Sequence, residues 1–270
     1  MGSAYYVYAI FGGETQLPPA LLGLGGAPVT AVEWYDLAAA ASCLEDTPLR
    51  PTSEHILRHE AVVEAVRRAG PALPVRFGTL LAGQGAVQRA LKEHYASLLA
   101  DLARLGDKVE LGLTVLWNGA EGGAGATIED AGAHDSRLVG TGPGTRYLRA
   151  RLAEHRWIAR WEFRAKTLAQ AIHEALKCRA SESHYTLLPA PRLLLRGAYL
   201  VQPAGVGAFR EAFEAVRRAQ PELRFLLSGP WPPYSFVTPP GDRSATCRDI
   251  WPSTRDSAAI IQPTSEEESL

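Results

Sequence analysis

His55 and His59, four residues apart, are the first pair whose types and spacing suit chemistry. On a helix they share a face, where two imidazoles can hold one metal ion. The residue after His55 is Ile56, so the H-E-x-x-H arrangement with its general base is absent, and no third ligand is indicated. Two histidines on a polar helix face therefore read first as structural or solvated groups. "GTGPG" at 140–144 precedes a predicted helix, where free N–H groups can hold a phosphate, but the chain has no Gly-Lys dipeptide to complete such a loop. "GLGG" at 23–26 is no stronger, and helix termination and chain flexibility account for both. There is no G-x-S-x-G elbow, and Ser228, followed by Gly229, has no histidine partner indicated. Paired carboxylates do not stand out from the surface charge.

The stretch 146–166 is locally basic. Arg146, Arg149, Arg151, Arg156, Arg160, Arg164 and Lys166 stand against Glu154 and Glu162. Such a helix face suits an acidic partner surface, and a solvated face explains it equally well. Arg149, Arg156, Trp157, Arg160, Trp161 and Arg164 are the candidate partner-binding residues. An RNA-binding sheet would place stacking aromatics on its central strands, yet "LLLRGAYLVQ" offers only Tyr199. Net charge of -1 gives no global pull toward nucleic acid or anionic lipid. Cys43, Cys178 and Cys247 are widely spaced, with no C-x-x-C pair, which fits a reducing cytoplasm rather than a disulfide framework. The N-terminus lacks the basic and long apolar regions of a signal peptide, and no run reaches membrane-spanning length. With 46% hydrophobic and 21% charged residues, the chain can bury a sizeable core.

The elements that must position these residues follow from periodicity. "AYYVYAIF" (4–11) is a first strand stopped by Gly12-Gly13, and "PVTAVEWY" (28–35) a second. Residues 52–69 form a helix capped by Thr52 or Ser53 and ended at Gly70-Pro71. "LPVRF" (73–77) is a short strand. Val87, Leu91, Tyr95, Leu98, Leu102 and Leu105 mark one helix, and "KVELGLTVLW" (108–117) a strand. Helices on one face of a sheet are expected here. Residues 118–142, rich in glycine and alanine, read as a linker. From 145 to 182 neither Pro nor Gly interrupts a long helix. Its apolar seam is Leu148, Leu152, His155, Ile158, Trp161, Ala165, Leu168, Ile172 and Ala175, suited to packing along a partner helix or sheet. Strands at 184–188, 192–202 and 223–228 and a helix marked by Val206, Phe209, Phe213 and Val216 complete an α-β-β-α-β run of ferredoxin-like type. The fold class is α+β with two domains, 1–117 and 143–237, and a tail from 238 to 270 expected to be disordered.

Several segments together resemble one family. "YYVYAI", "RHEAVVEAV", "LPVRFGTLL", "KVELGLTVLW", "TRYLRAR", "RGAYLVQPAGVGAFREAF" and "LSGPWPPYSFV" are similar, in order and spacing, to blocks of the GvpL/GvpF gas vesicle proteins. The signature residues are Arg76, Phe77, Gly78, Gly229, Pro230, Trp231, Pro232, Pro233 and Tyr234. The resemblance implies a non-catalytic cytoplasmic protein of gas vesicle formation, without cofactor, whose partners are the GvpA-type shell protein and other vesicle accessory proteins. It implies no nucleic-acid or lipid-membrane partner. The C-terminal domain would be a modified ferredoxin-like fold with a long helix. The alternatives are a small enzyme using His55, His59 or His184 in a cleft, or an RNA-binding module.

"LLSGPWPPYSFV" (226–237) carries no nucleophile, base or ligand. Gly229 permits a turn, and Pro230, Pro232 and Pro233 fix φ around Trp231, Tyr234 and Phe236. Core capping is the favoured role, in which Trp231→Ala costs roughly 3–5 kcal/mol; an exposed docking ring is the alternative.

Overall fold

The computed structural model describes residues 4–44, 50–117, 143–187 and 193–238. The chain is mixed α+β and divides into two compact units. One takes the chain up to Asp107 and resumes at Pro232; the other runs from Lys108 to Trp231. The expected boundary at 118–142 therefore moves. Strand 109–117 finds its pairing partners in the second unit, and the closing segment after Trp231 packs in the first. The linker and the tail beyond Thr238 lie outside the described residues.

The first unit holds β1 (Ala4–Gly12), β2 (Thr30–Trp34), β3 (Leu37–Leu44), α1 (Ser53–Ala69), β4 (Ala72–Pro74), β5 (Leu80–Leu81), α2 (Gln84–Glu93) and α3 (Tyr95–Leu105). Its antiparallel sheet has the order β2-β3-β1-β4, with β5 also on β1. A register shift between Val7 and Ala9 sets the two faces of β1. Tyr6, Tyr8, Ala9 and Phe11 cluster with Val62, Val63 and Val66 of α1. Val7 and Ile10 point the other way and, with Val87, Leu91 and Leu98 of α2 and α3, line an apolar pocket of about 30 Å³.

Helices thus cover both faces of this sheet, not one. That explains β3, "LAAAASCL", whose four alanines are 0–1% exposed. A strand buried on both sides has no polar face and shows no alternation. The helix expected from Val87 to Leu105 is two helices, because the backbone leaves helical geometry at His94 (φ -108, ψ 12). A heptad-like apolar stripe continues across the break, so periodicity alone does not register it.

The second unit holds β6 (Val109–Trp117), α4 (Pro143–Lys177), β7 (Glu182–Leu187), β8 (Leu193–Val201), α5 (Val206–Ala219) and β9 (Leu223–Trp231). Its antiparallel sheet has the order β7-β8-β6-β9. Leu111, Leu113 and Val115 of β6 and Leu195 and Tyr199 of β8 face Phe209 and Phe213 of α5 and the C-terminal half of α4.

In α4 the packed positions are Ala165, Ala169, Ile172 and Leu176, with Trp161 and Leu168 beside them. The seam ends on Leu176 rather than Ala175, which is exposed, as are Leu152 and His155 upstream. The reason is length. Thirty-five residues span about 52 Å, while nine-residue strands span about 30 Å, so only part of α4 can lie on the sheet.

Candidate functional site

The two most distinctive sequence blocks are drawn into one structure around His59. That residue is 1% exposed, on the α1 face that meets β1. Its Nε2 lies 3.0 Å from the Val75 carbonyl, which can only accept, so Nε2 carries the proton. Nδ1 then accepts from the Tyr6 hydroxyl at 2.9 Å, and the Tyr6 oxygen accepts from the Gly78 N–H at 3.0 Å. Phe77 meets both rings edge-on, at 6.1 Å from Tyr6 and 5.7 Å from His59. Gly78 sits at φ 89, a conformation that suits a residue without Cβ. Arg76 is half-buried, and desolvation pulls its pKa below the usual arginine value. The closing segment supplies the last side: Tyr234 donates to Glu60 Oε1 at 2.8 Å, and its oxygen lies 3.3 Å from His59 Nε2.

Burial decides the electrostatics. His59 is pushed down to about 4, chiefly by desolvation, so it is neutral at physiological pH. Desolvation likewise raises Tyr6 and Tyr234 well above the ordinary tyrosine value, and both stay protonated donors. Glu60 is raised by burial, with the Tyr234 hydrogen bond pulling the other way. A neutral imidazole with both nitrogens engaged has no lone pair left for a metal or a substrate proton. His55, one turn earlier, is half-buried and bonded to the Arg50 carbonyl at 2.8 Å. Among the described residues no group of three His, Cys, Asp or Glu is placed to hold a metal ion.

The remaining signature residues close the second unit and begin the return to the first. β9 continues to Trp231 rather than turning at Gly229, and its pairing with β6 shifts register between Glu110 and Gly112. Gly229 (φ 104) lies in that bulge, and a Cβ there would come within 2.6 Å of the Glu110 carbonyl. The Gly229–Pro230 peptide is cis. Pro232, Pro233, Phe236 and Val237 are buried, whereas Trp231 is 50% exposed. Core capping therefore holds for Phe236 and not for Trp231. Trp231→Ala is accordingly expected to lower stability by about 1 kcal/mol or less, in place of the 3–5 kcal/mol of a core tryptophan, as thermal unfolding would show.

The candidate partner-binding residues lie on α4. Arg156, Arg160 and Arg164 are exposed, and Trp161 is half-buried against Trp117, with ring centroids 6.1 Å apart. The side chains of Arg149 and Trp157 lie outside the described residues. Leu152 and Phe163, three turns apart, are exposed at 56% and 73%.

A second buried histidine went unread in the sequence. His173 of α4 is 8% exposed, with Nδ1 3.2 Å from the Tyr199 hydroxyl and Nε2 3.5 Å from Ser183 Oγ. Its ring lies on Tyr185 at 4.5 Å. A tyrosine hydroxyl, not a carboxylate, stands where a catalytic triad would hold its imidazolium, and desolvation lowers the pKa. His184, on β7, is a separate residue of the same unit. The signal that could have found His173 is its position next to Ile172 in a helix face otherwise built of Ala and Leu.

Fold and site define a two-unit α+β protein whose buried histidines and tyrosines are engaged in packing and hydrogen bonding. The sequence profile described as "Gas vesicle synthesis protein GvpL/GvpF" matches residues 4–238, so the chain belongs to the GvpL/GvpF family. It is 31% identical to gas vesicle protein L of Streptomyces sp. (strain CB03234), covering 86% of this chain and 92% of that protein. Gas vesicle protein F of the same organism is 29% identical, over 86% of this chain and 98% of its own. The crystal structure of GvpF from Anabaena sp. PCC7120 superposes with a TM-score of 0.68 at 20% identity, covering 87% of this chain and 96% of that one. GvpF from Microcystis aeruginosa gives 0.65 at 20% identity, covering 87% and 99%. At that identity the structural likeness speaks for the fold alone.

Proposed function

We propose that this protein is a non-catalytic component of gas vesicle formation, acting in the cytoplasm and at the vesicle. In this reading it binds the hydrophobic GvpA-type shell protein and other vesicle accessory proteins. The observation that carries the reading is the family match over residues 4–238, which reaches across both units. The occupied state of His59 supports a binding rather than a catalytic role, since neither of its ring nitrogens is left for substrate. No described helix is long and apolar enough to cross a membrane.

Physical need points the same way. A shell subunit with one face toward gas exposes apolar surface before assembly, and a partner that covers it requires apolar and charged surface rather than a catalytic pocket. The part of α4 that overruns the sheet, with Arg149, Arg156, Trp157, Arg160, Trp161 and Arg164, is the surface assigned to that task. Strand and helix order β6-α4-β7-β8-α5-β9 with sheet order β7-β8-β6-β9 supports reading the second unit as a modified ferredoxin-like domain. The two compact units support a two-domain description.

Deleting the gene in a vesicle-forming host tests the reading. Loss or malformation of vesicles, restored by the wild-type gene, is the expected result. Normally buoyant cells with intact vesicles would overturn it.

A further inference from the structure

Two indole N–H groups in the second unit, those of Trp117 and Trp161, find no hydrogen-bond partner among the described residues although both are shut off from solvent. Trp117, at the end of β6, is 7% exposed. A buried donor without an acceptor costs roughly 1–3 kcal/mol, and native proteins rarely leave two side by side. The Arg164 guanidinium lies over the Trp117 ring, with Cζ 5.7 Å from its centroid. Arg160 and Arg156 continue from Arg164 at four-residue intervals along the same flank of α4, and all three are exposed. No acidic residue stands three or four positions from any of them, and none makes an ion pair among the described residues. Like charges at that spacing repel within a helix. Donors and cations converge here, and no described residue supplies an acceptor.

We propose that the Trp117–Trp161 pair and the Arg156–Arg160–Arg164 ridge form one docking site for an acidic segment of a partner polypeptide. A carboxylate supplies what the site lacks: two acceptor oxygens for the indole donors and a counter-charge for the guanidinium groups. Trp161, the half-buried ring of the pair, turns aside to admit it. Exposed Leu152 and Phe163 on the adjoining face of α4 require an apolar ridge beside the acidic groups, which a polypeptide carries and a phosphodiester chain does not. A symmetric pairing of two copies through this face is disfavoured, because the same cationic ridge would face itself. The inference deepens the partner-binding reading of α4 and rests on it for biological meaning, but the chemistry of the site is testable without any vesicle protein.

The full-length chain is titrated by calorimetry and tryptophan fluorescence with a synthetic helical peptide of glutamate and leucine. The controls are its glutamine-for-glutamate counterpart and single-stranded oligodeoxythymidylate. Expected are binding of the glutamate peptide with a change in fluorescence, and at least about tenfold weaker binding of the glutamine peptide. Trp161→Phe, which keeps a ring but removes the N–H, and Arg164→Gln should each weaken binding about fivefold to tenfold. Arg210→Gln, on α5, should not. Equal affinity for both peptides, unchanged binding by the two variants, or preferential binding of the oligonucleotide would overturn the proposal. Should Trp161→Phe fail to fold by circular dichroism, the surface variant Arg164→Gln carries the test alone. A vesicle deletion phenotype with no peptide binding would refute this site and leave the vesicle role standing; peptide binding with no phenotype would do the reverse.

Discussion

Replacing Asp101 by alanine is expected to lower stability by about 3 kcal/mol and to release the closing segment of the first unit. Asp101 is 3% exposed on α3 and is saturated with donors. Its Oδ2 accepts from the Thr238 N–H at 2.6 Å, and Oδ1 from the Thr238 hydroxyl at 3.0 Å and from Arg104 at 2.6 Å. Arg104 in turn donates to the Phe236 carbonyl at 2.8 Å. One carboxylate thus fixes the end of a segment that buries Pro232, Pro233, Phe236 and Val237 and delivers Tyr234 to Glu60. Bonds to an ionised acceptor are worth more than neutral ones, and alanine removes three at once. Water can rehydrate the exposed Thr238 and part of Arg104, which keeps the loss from being larger. Asp101→Asn retains one acceptor and should cost about half as much. Urea unfolding gives the first number, and hydrogen exchange at residues 232–238 reports release of the segment. A loss below about 1 kcal/mol with exchange unchanged would show that the apolar contacts of Phe236 and Val237 alone hold it.

That clasp shows why part of the molecule was legible in the sequence and part was not. Elements with one polar side declared themselves through period: α5 with Val206, Phe209, Phe213 and Val216, β6, and α1 behind its Thr52 cap. β3 did not, because alanines buried on both faces carry neither the alternation nor the β-branched bulk of a typical strand. The break at His94 was hidden because its neighbours keep the stripe on both sides. Composition and strand pairing divide the chain at different places. Glycine-rich composition marks where a chain is locally free, whereas a unit is defined by pairing. Strand β6 pairs with β8 and β9 across the linker, and Thr238 meets Asp101 at a sequence separation of 137. Within the candidate site, "LPVRFGT" and "GPWPPYSF" stand out as blocks, but nothing in either says that they converge on a histidine that precedes both in sequence. His59 itself was visible, and its burial was not: a histidine with one apolar and one polar flank on a helix can be on either side of the surface. Missing acceptors around Trp117 and Trp161 are likewise a property of packing and have no sequence signature.

The same histidine sets a pH dependence whose sign is fixed by its burial. In the unfolded chain His59 titrates near 6.5, and in the folded protein at about 4. Between those values the unfolded state binds a proton that the native state refuses, so stability falls as pH falls. The full stabilisation is present above about pH 6.5. It declines through the window and levels off below about pH 4, with a total loss of about 3 kcal/mol at about 1.4 kcal/mol per unit. Glu60 opposes part of this. Burial raises its pKa above 4.5, so the native state holds that proton more tightly and gains as pH falls through the same region. The Tyr234 and Tyr6 hydroxyls stay protonated throughout and add no slope. His59→Gln separates the contributions, because its amide N–H can still donate to the Val75 carbonyl and its oxygen can accept from Tyr6, yet it does not titrate. At pH 7.5 the variant should be less stable by about 1–2 kcal/mol. From pH 7 to 4 its stability should fall less than that of the wild type, the remaining decline coming from His173 and His184, whose pKa values burial also lowers. Glu60→Gln should steepen the wild-type slope. Parallel pH profiles for wild type and His59→Gln would place the titrating group elsewhere and remove His59 as the origin of acid sensitivity in the first unit.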